Sequence, residues 1–385
     1  MGCAVICVGV MGIIDSIHII YRLTSLKRKK DFRIIDNSPN ISVIIPAYNE
    51  ETLIKECLKS VIKQEYDGKI EIIVVDDCST DKTPDIVRKY GVKLISHERN
   101  MGRAKALENG MRVAKNNILV WLDADTILDK HALKNIVKHF GDNRVKAVCG
   151  NVIPWNRSKL WSLIQREEYA VPFYFIKNAQ SKLGKVLIAS GAFSAFDRSI
   201  LLEVGCNSKT VAEDFDVTMK IHRKGYSVAY ASDAIAYTYA PESVNSLFGQ
   251  RRRWARGFAE VMLKHRLVKS LCIEEFFAFI GGSVRHLTMW LWSIPLYLAL
   301  GWLGIVLWIS YTFISTTIYL MIASFMARRF MLRTALIISA LGMTLLWCAE
   351  LWGCIQGIQK RNDKDRSWER ASRPDSYAKI EKVRS

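Results

Sequence analysis

A doubly wound, mostly parallel α/β sheet is the fold the sequence predicts for residues 38–240, and three observations predict it. Short β-branched runs recur at Ile41–Ile45, Ile70–Val75, Val92–Ile95, Ile118–Leu122 and Val145–Cys149. Such near-continuous apolar runs suit strands buried on both faces. Amphipathic stretches separate them; between the first two runs, Ile54, Leu58, Val61 and Ile62 recur at helical spacing. Finally, polar motifs follow the runs immediately, where an open α/β sheet places its ligands.

The flanking segments differ in character. Residues 1–24 are mostly apolar, interrupted by Asp15 and His18, and Lys27-Arg28-Lys29-Lys30 follow. A cleaved signal peptide carries its positive charge before the apolar run and small residues at its end. Neither is present, so the segment reads as a transmembrane signal anchor with its N-terminus outside, an interfacial helix being the competing reading. In residues 241–272, Val244, Leu247, Phe248, Trp254, Phe258, Val261 and Met262 alternate with Arg251, Arg252, Arg256, Lys264 and Arg266, the pattern of amphipathic helices lying on a leaflet. Residues 273–358 read as a C-terminal transmembrane region. Trp290–Ala327 accommodates two short spans with a break near Ser310, Thr334–Ile358 one more, and Glu274–His286 an amphipathic or re-entrant piece. A basic tail, 359–385, ends the chain. The cytoplasmic side expected for that tail requires a fourth segment near Phe276–Thr288, or a last stretch that does not cross.

Lys and Arg outnumber Asp and Glu by 55 to 37, a net charge of +18. The basic residues cluster beside apolar segments, which favours a lipid bilayer over nucleic acid as partner. No zinc-finger or aromatic-basic RNA-binding pattern is present, so no nucleic-acid partner is expected. The nine cysteines are scattered singly with no CxxC pair, which favours reduced structural cysteines over a disulfide framework or a zinc site.

Pro46-Ala47-Tyr48-Asn49-Glu50 follows the first run, Asp76-Asp77-Cys78-Ser79-Thr80-Asp81 the second, and Asp123-Ala124-Asp125 the fourth. Alone, each also fits a turn or helix cap. Together, at successive strand ends, they suggest a nucleotide site, with Tyr48 as a stacking face, Asp77 accepting from a base N–H and Glu50 directed to ribose or base. Asp123 and Asp125 share one face of an extended segment. Unpaired charge is costly at the end of a buried strand, and a hard divalent cation, Mg2+ or Mn2+, held with a diphosphate relieves that cost. Asn100-Met101-Gly102-Arg103-Ala104-Lys105 opens a helix through Ala114, where Gly102 permits close approach and Arg103 or Lys105 reaches a phosphate, a solvated helix start being the alternative.

With Ala212-Glu213-Asp214 and Gln250-Arg251-Arg252-Arg253-Trp254, these motifs resemble, in order, the signature set of the processive family-2 glycosyltransferases, which include cellulose, chitin, hyaluronan and poly-N-acetylglucosamine synthases. Ser190-Gly191-Ala192-Phe193, Glu213-Asp214-Phe215-Asp216 and Pro241-Glu242-Ser243 look closest to the poly-β-1,6-N-acetylglucosamine branch. Three positions depart from the pattern: Cys78 replaces a usual glycine, Arg103 a usual lysine and Ala212 a usual threonine.

The resemblance implies a GT-A fold, a UDP-sugar donor, a growing glycan acceptor and inversion at the anomeric carbon. It implies donor binding by Pro46, Tyr48, Glu50, Asp77, Arg103, Asp123, Asp125, Gln250, Arg253 and Trp254. Ser190, Gly191, Ala192 and Trp254 are then on the acceptor side, Asp125 and Asp123 hold the metal, and Asp214, beside Glu213, is the general base. A sugar hydroxyl is a poor nucleophile, and a carboxylate taking its proton lowers the barrier; the alternative for Glu213 and Asp214 is an acidic helix N-terminus favoured by the dipole. Arg251, Arg252 and Arg256 are left as lipid-facing or helix-surface residues. The expected protein is an integral-membrane polysaccharide synthase of the cell membrane with a cytoplasmic catalytic domain. With few spans, a product channel is small or requires a homo-oligomer, an accessory membrane subunit being the other partner left open. Two alternatives stand beside it: a non-processive transferase with a lipid-linked acceptor, and an inactive membrane scaffold on the same fold.

Overall fold

The apolar pentapeptide Ile118–Leu122 forms β4, buried throughout near the middle of an eight-stranded sheet. The computed structural model describes residues 16–17, 19–27, 32–156, 159–206, 210–265, 296–298, 300–326, 352–353 and 355–356. With β1 (Ile41–Ala47), β2 (Ile70–Asp76), β3 (Lys93–Ser96), β5 (Thr126–Leu128), β6 (Val145–Pro154), β7 (Phe193–Asp197) and β8 (Ser227–Thr238), the order is β3-β2-β1-β4-β7-β6-β8-β5.

The first half, β3-β2-β1-β4, is parallel, as the β-branched runs predict. The other half corrects the expectation of a mostly parallel sheet. β7 runs antiparallel to both β4 and β6, β5 is antiparallel to β8, and only β6 and β8 pair in parallel there. The mixed sheet with its helices fits the GT-A fold. Phe193-Ser194-Ala195-Phe196-Asp197 is too short to announce itself, yet its direction shapes the site. Because β7 starts where β4 ends, Leu122 lies opposite Phe193 and the Asp123 N–H donates to the Ala192 carbonyl at 3.2 Å. Residues Val186–Ala189, strand-like in sequence, are not a strand; one bridge between Lys185 and Val228 is all the pairing near them.

α1 (Ile54–Ile62) buries Ile54, Cys57, Leu58 and Val61, one helical stripe. α2 is Thr83–Arg88, and α3 (Arg103–Val113) turns Ala106, Leu107, Gly110 and Met111 inward. Gly110 is needed there: a Cβ would stand 2.4 Å from a methyl of Ile44 on β1. α4 is Ala132–Val137 and α5 is Leu160–Glu168; a π-helical turn, Val171–Ile176, then runs into α6 (Lys177–Lys182). α7 (Arg198–Val204) is capped by Asp197, and α8 (Glu213–Arg223) begins on the acidic pair.

The amphipathic segment after residue 241 is one helix, α9 (Val244–Lys264), capped by Ser243. It lies against α8, where Phe215, Met219 and Val261 share a core. Among the described residues no helix is long and apolar enough to cross a membrane, so the transmembrane part of the expected fold is not supported. Most of 1–24 and 273–358, including Phe276–Thr288, and all of 359–385 lie outside the described residues. The expected break near Ser310 is corrected as well. α10 (Trp302–Met326) runs through it for 25 uncharged residues, its aliphatic side chains interrupted by Ser310, Thr312, Ser315, Thr316 and Thr317. The chain turns instead at Gly301, whose φ of 56° suits glycine.

Candidate active site

The polar motifs converge at the carboxyl ends of β1, β2 and β4, where an open α/β sheet presents its loops. The first two loops are stitched together. Asn49 Oδ1 accepts the Thr80 N–H at 2.6 Å, Ser79 Oγ accepts the Asn49 N–H at 2.8 Å, and Thr83 Oγ1 accepts the Glu50 N–H at 2.7 Å. The tight path puts Asn49 and Cys78 at φ 54° and 65°, a region that favours glycine. That is the physical content of Cys78 standing where glycine is usual. Pro46 is buried in the last turn of β1, Tyr48 half-buried and Glu50 buried.

Asp77 is fully buried, and its oxygens already accept from the Met101 and Gly102 N–H groups at 2.8 and 2.7 Å, with His97 Nδ1 at 2.7 Å. Its observed work is to fold the loop that leads through Gly102, φ 84°, into Arg103 at the start of α3.

Arg103 ties the site together. Its Nε and Nη2 donate to Asp123 Oδ1 at 3.0 and 2.7 Å, Nη2 also donates to the Gly191 carbonyl at 2.9 Å, and Nη1 donates to Glu213 Oε1. The Gly191 N–H in turn donates to Asp214 Oδ2 at 2.9 Å. Residues separated by more than a hundred positions thereby share one network. A Cβ on Gly191 would lie 2.6 Å from Arg103 Nη2, so a side chain there would push the guanidinium out of this network. Burial pushes the Asp123 and Glu213 carboxyls above their ordinary range; Arg103 pulls the other way, and Asp125 beside Asp123 and Asp214 beside Glu213 add to the push.

Asp125 is half-buried, with Thr126 and Thr238 hydroxyls at 3.1 and 3.5 Å from Oδ1. Cys57 of α1 lies beneath the pair, its Sγ 3.6 Å from the Asp123 carbonyl. Burial raises that thiol, and the charges of Asp125, Asp123 and Glu50 raise it further. Among the described residues no three His, Cys, Asp or Glu side chains form a metal cage. One or two carboxylates do suit Mg2+ or Mn2+, which keep waters and share a substrate diphosphate. Asp125, with Asp123 already engaged by Arg103, is the oxygen donor set that fits.

Gln250, Arg253 and Trp254 lie together on α9. Trp254 is exposed and stands over the Arg251 guanidinium, 4.4 Å from the ring centre, with the Tyr169 ring 6.2 Å away. Tyr169, which no sequence period distinguishes from packing aromatics, marks the junction. Burial raises its phenol, and the charges of Arg251, Glu168, Asp125 and Arg253 all act on it. Gln250 and Arg253 are half-buried.

The surface reading of Arg251 and Arg256 is corrected, as is the leaflet-facing one of Lys264, while Arg252 is half-buried. Arg251 is only 4% exposed and donates to Glu168 Oε2 at 2.6 Å. Arg256 Nε donates to Glu260 Oε1 at 2.8 Å, while Glu260 Oε2 accepts the Val211 N–H just before α8. Lys264 donates to Asp216 Oδ1 at 2.6 Å. Arg251 thus faces α5 and Lys264 faces α8 rather than lipid.

The α8–α9 contact carries two predictions. Gly257 lies on Ala212, and a Cβ there would meet Ala212 Cβ at 2.6 Å. Gly257→Ala is expected to cost about 1–3 kcal/mol and to lower activity by moving α9 off the residue before Glu213; denaturation and turnover assays check it. One turn into α8, buried Asp216 also takes His265 Nε2 at 2.7 Å and Lys220 at 2.8 Å. Burial pushes its carboxyl up, but hydrogen bonds from His265, Lys220 and Lys264 outweigh that and hold it well below the usual carboxylate range. A depressed acid stabilises the fold above its unfolded pKa and loses that contribution as pH falls through the folded value. Asp216→Asn is therefore expected to cost about 1.5–3 kcal/mol near neutral pH, a deficit that shrinks as the wild type is acidified below about 4. Chemical denaturation across pH measures it.

The chain resembles known proteins in sequence and fold. Residues 42–205 match the family described as Glycosyl transferase family 2. The poly-beta-1,6-N-acetyl-D-glucosamine synthase of Staphylococcus aureus (strain COL) is 34% identical over 246 residues, 62% of this chain and 59% of that protein. The synthase of the same name from Staphylococcus epidermidis is 35% identical over 230 residues, 58% of this chain and 56% of that protein. The chain thus spans less than two thirds of the length of these relatives. A mannosyltransferase from Pyrobaculum calidifontis, solved with GDP-Man and Mn2+, shares the fold at 22% identity and a TM-score of 0.59, covering 92% of this chain and 98% of that one. The chain carries a family-2 glycosyltransferase domain and, across the matched region, resembles the poly-β-1,6-N-acetyl-D-glucosamine synthases.

Proposed function

We propose that the protein transfers a sugar, N-acetylglucosamine, from a UDP-sugar to the non-reducing end of a growing β-linked polysaccharide, with inversion. The observation that carries the reading is the Arg103–Gly191–Asp214 connection. It links Asp214, at the start of α8, through Gly191 and Arg103 to Asp123. Asp214 accepts the proton of the acceptor hydroxyl as its oxygen attacks the anomeric carbon, and the bond from that carbon to the diphosphate breaks. Arg253 meets the departing diphosphate, Gln250 hydrogen-bonds beside it, and Trp254 forms a wall for the acceptor sugar together with Ser190, Gly191 and Ala192. Tyr48, Glu50 and Asp77 receive the nucleoside, with Pro46 shaping the strand end that presents them. A divalent ion, Mg2+ or Mn2+, supplies charge stabilisation to the leaving diphosphate when bound by Asp125 and Asp123.

The same proposal places the protein in the cell membrane, its catalytic domain cytoplasmic, with the glycan passing through its own helices or through those of a homo-oligomer or accessory subunit. Support comes from the basic clusters beside apolar segments of the sequence. Incubation of the full-length protein with individual labelled UDP-sugars, followed by sizing and linkage-specific digestion, tests the reaction. A labelled β-linked polymer is expected. A single sugar added to a lipid points to the non-processive alternative, and no transfer from any UDP-sugar to the inactive scaffold.

A further inference from the structure

Residues 188–191 are held almost entirely by side chains. The Ile188 carbonyl accepts from Lys177 Nζ at 2.5 Å, Thr218 Oγ1 accepts the Ala189 N–H at 3.0 Å, and Cys149 Sγ accepts the Ser190 N–H at 3.4 Å. The Gly191 N–H then reaches Asp214. Lys177 is the cation on the far side of this loop. It is 8% exposed, its Nζ also donates to Cys149 Sγ at 3.2 Å, and it sits 5.0 Å from the centre of the Phe173 ring. Among the described residues no carboxylate forms an ion pair with it. Burying an ammonium on a carbonyl, a thiol and a ring is costly, and packing alone would be served better by an apolar residue.

Lys177 is also where two layers meet. It follows the π-helical turn Val171–Ile176, an irregularity that often marks functional positions. Phe175 of that turn packs with Ile19, Leu26, Ile322 and Met326, from the N-terminal helical piece and α10.

We infer that Lys177 is a positioning residue for the acceptor-side loop: through Ile188 and, with Cys149, through Ser190, it sets the Gly191 N–H that orients Asp214. The inference rests on the proposed transferase reaction for its catalytic consequence, and on hydrogen bonds alone for its structural one. Its step adds no bond-making of its own; it fixes where the base stands.

The test uses the full-length protein with Lys177→Met, which keeps the apolar stem and removes the ammonium, and Cys149→Ala, which removes the sulfur shared by Lys177 and Ser190. Deuterium exchange of the peptide over residues 186–193 is read beside steady-state turnover of a UDP-sugar. The expected result is faster exchange confined to that loop, with kcat at least about tenfold lower and donor KM within about twofold. Exchange unchanged at 188–191, or kcat within twofold of wild type, overturns the inference. So does exchange raised throughout the domain with kcat and KM both altered, or failure of both variants to fold, since either shows a merely structural role. A wild-type protein that turns over no UDP-sugar sinks the transferase reading, and the exchange measurement still decides the positioning one.

Discussion

Asp214→Asn is expected to lower kcat by about 10²–10⁴-fold, the usual worth of a positioned general base, while UDP affinity stays within about twofold. The geometry makes this a clean substitution. Asp214 Oδ2 accepts the Gly191 N–H and Oδ1 the Phe215 N–H. An asparagine keeps one acceptor for the loop and forfeits the other, a loss of about 1 kcal/mol, too little to unfold the domain. What disappears is the capacity to take a proton. Turnover and UDP binding measured on the same preparation check the split. Unchanged UDP release would return Glu213 and Asp214 to the role of an acidic helix start.

Arg103→Met carries the largest expected cost in stability, about 3–5 kcal/mol, because it strands partly or fully buried acceptors that shared one guanidinium. Asp123, Glu213 and the Gly191 carbonyl would all lose their donor together. Transfer is expected to fall with it, since the loop that orients Asp214 loses its second tether. Adding Glu213→Gln to Arg103→Met removes one stranded charge and should recover part of the loss, the sign of direct coupling in a double-mutant cycle. Denaturant unfolding of the two single variants and the double variant gives that coupling, and additivity would mean the pair acts independently. Arg103→Lys keeps the charge where lysine is usual in the resembling family, but one ammonium does not reproduce the planar fork between Asp123 and Glu213.

The parallel half of the sheet was legible because β1, β2 and β4 are apolar runs ending in polar motifs. Asp123, Asp125, Asp214, Gly191 and Arg103 were legible for a related reason: charge and glycine at strand ends and helix starts have few structural uses. The antiparallel β7 was not, since five residues with one polar interruption give no period. Nor did Val186–Ala189, apolar like a strand, announce that side chains of Lys177, Thr218 and Cys149 would satisfy the loop it leads into. Arg251 was misread because helical periodicity sorts charge outward; only the tertiary position of Glu168, 83 residues away, shows why an arginine lies inside. Asp77 was legible as a carboxylate at a strand end, but its bonds to Met101 and Gly102 depend on a loop whose course no local pattern specifies.

In the proposed reaction Asp125, Asp123 and Arg253 together bind the donor's diphosphate. Calorimetric titration of UDP into the full-length protein, with Mn2+ and again in excess chelator, tests it most directly. The expected result is a single site that binds with the ion, weakens strongly in chelator and is lost in Asp125→Asn. UDP binding of equal strength in chelator and in Asp125→Asn, or no UDP binding at all, would contradict it.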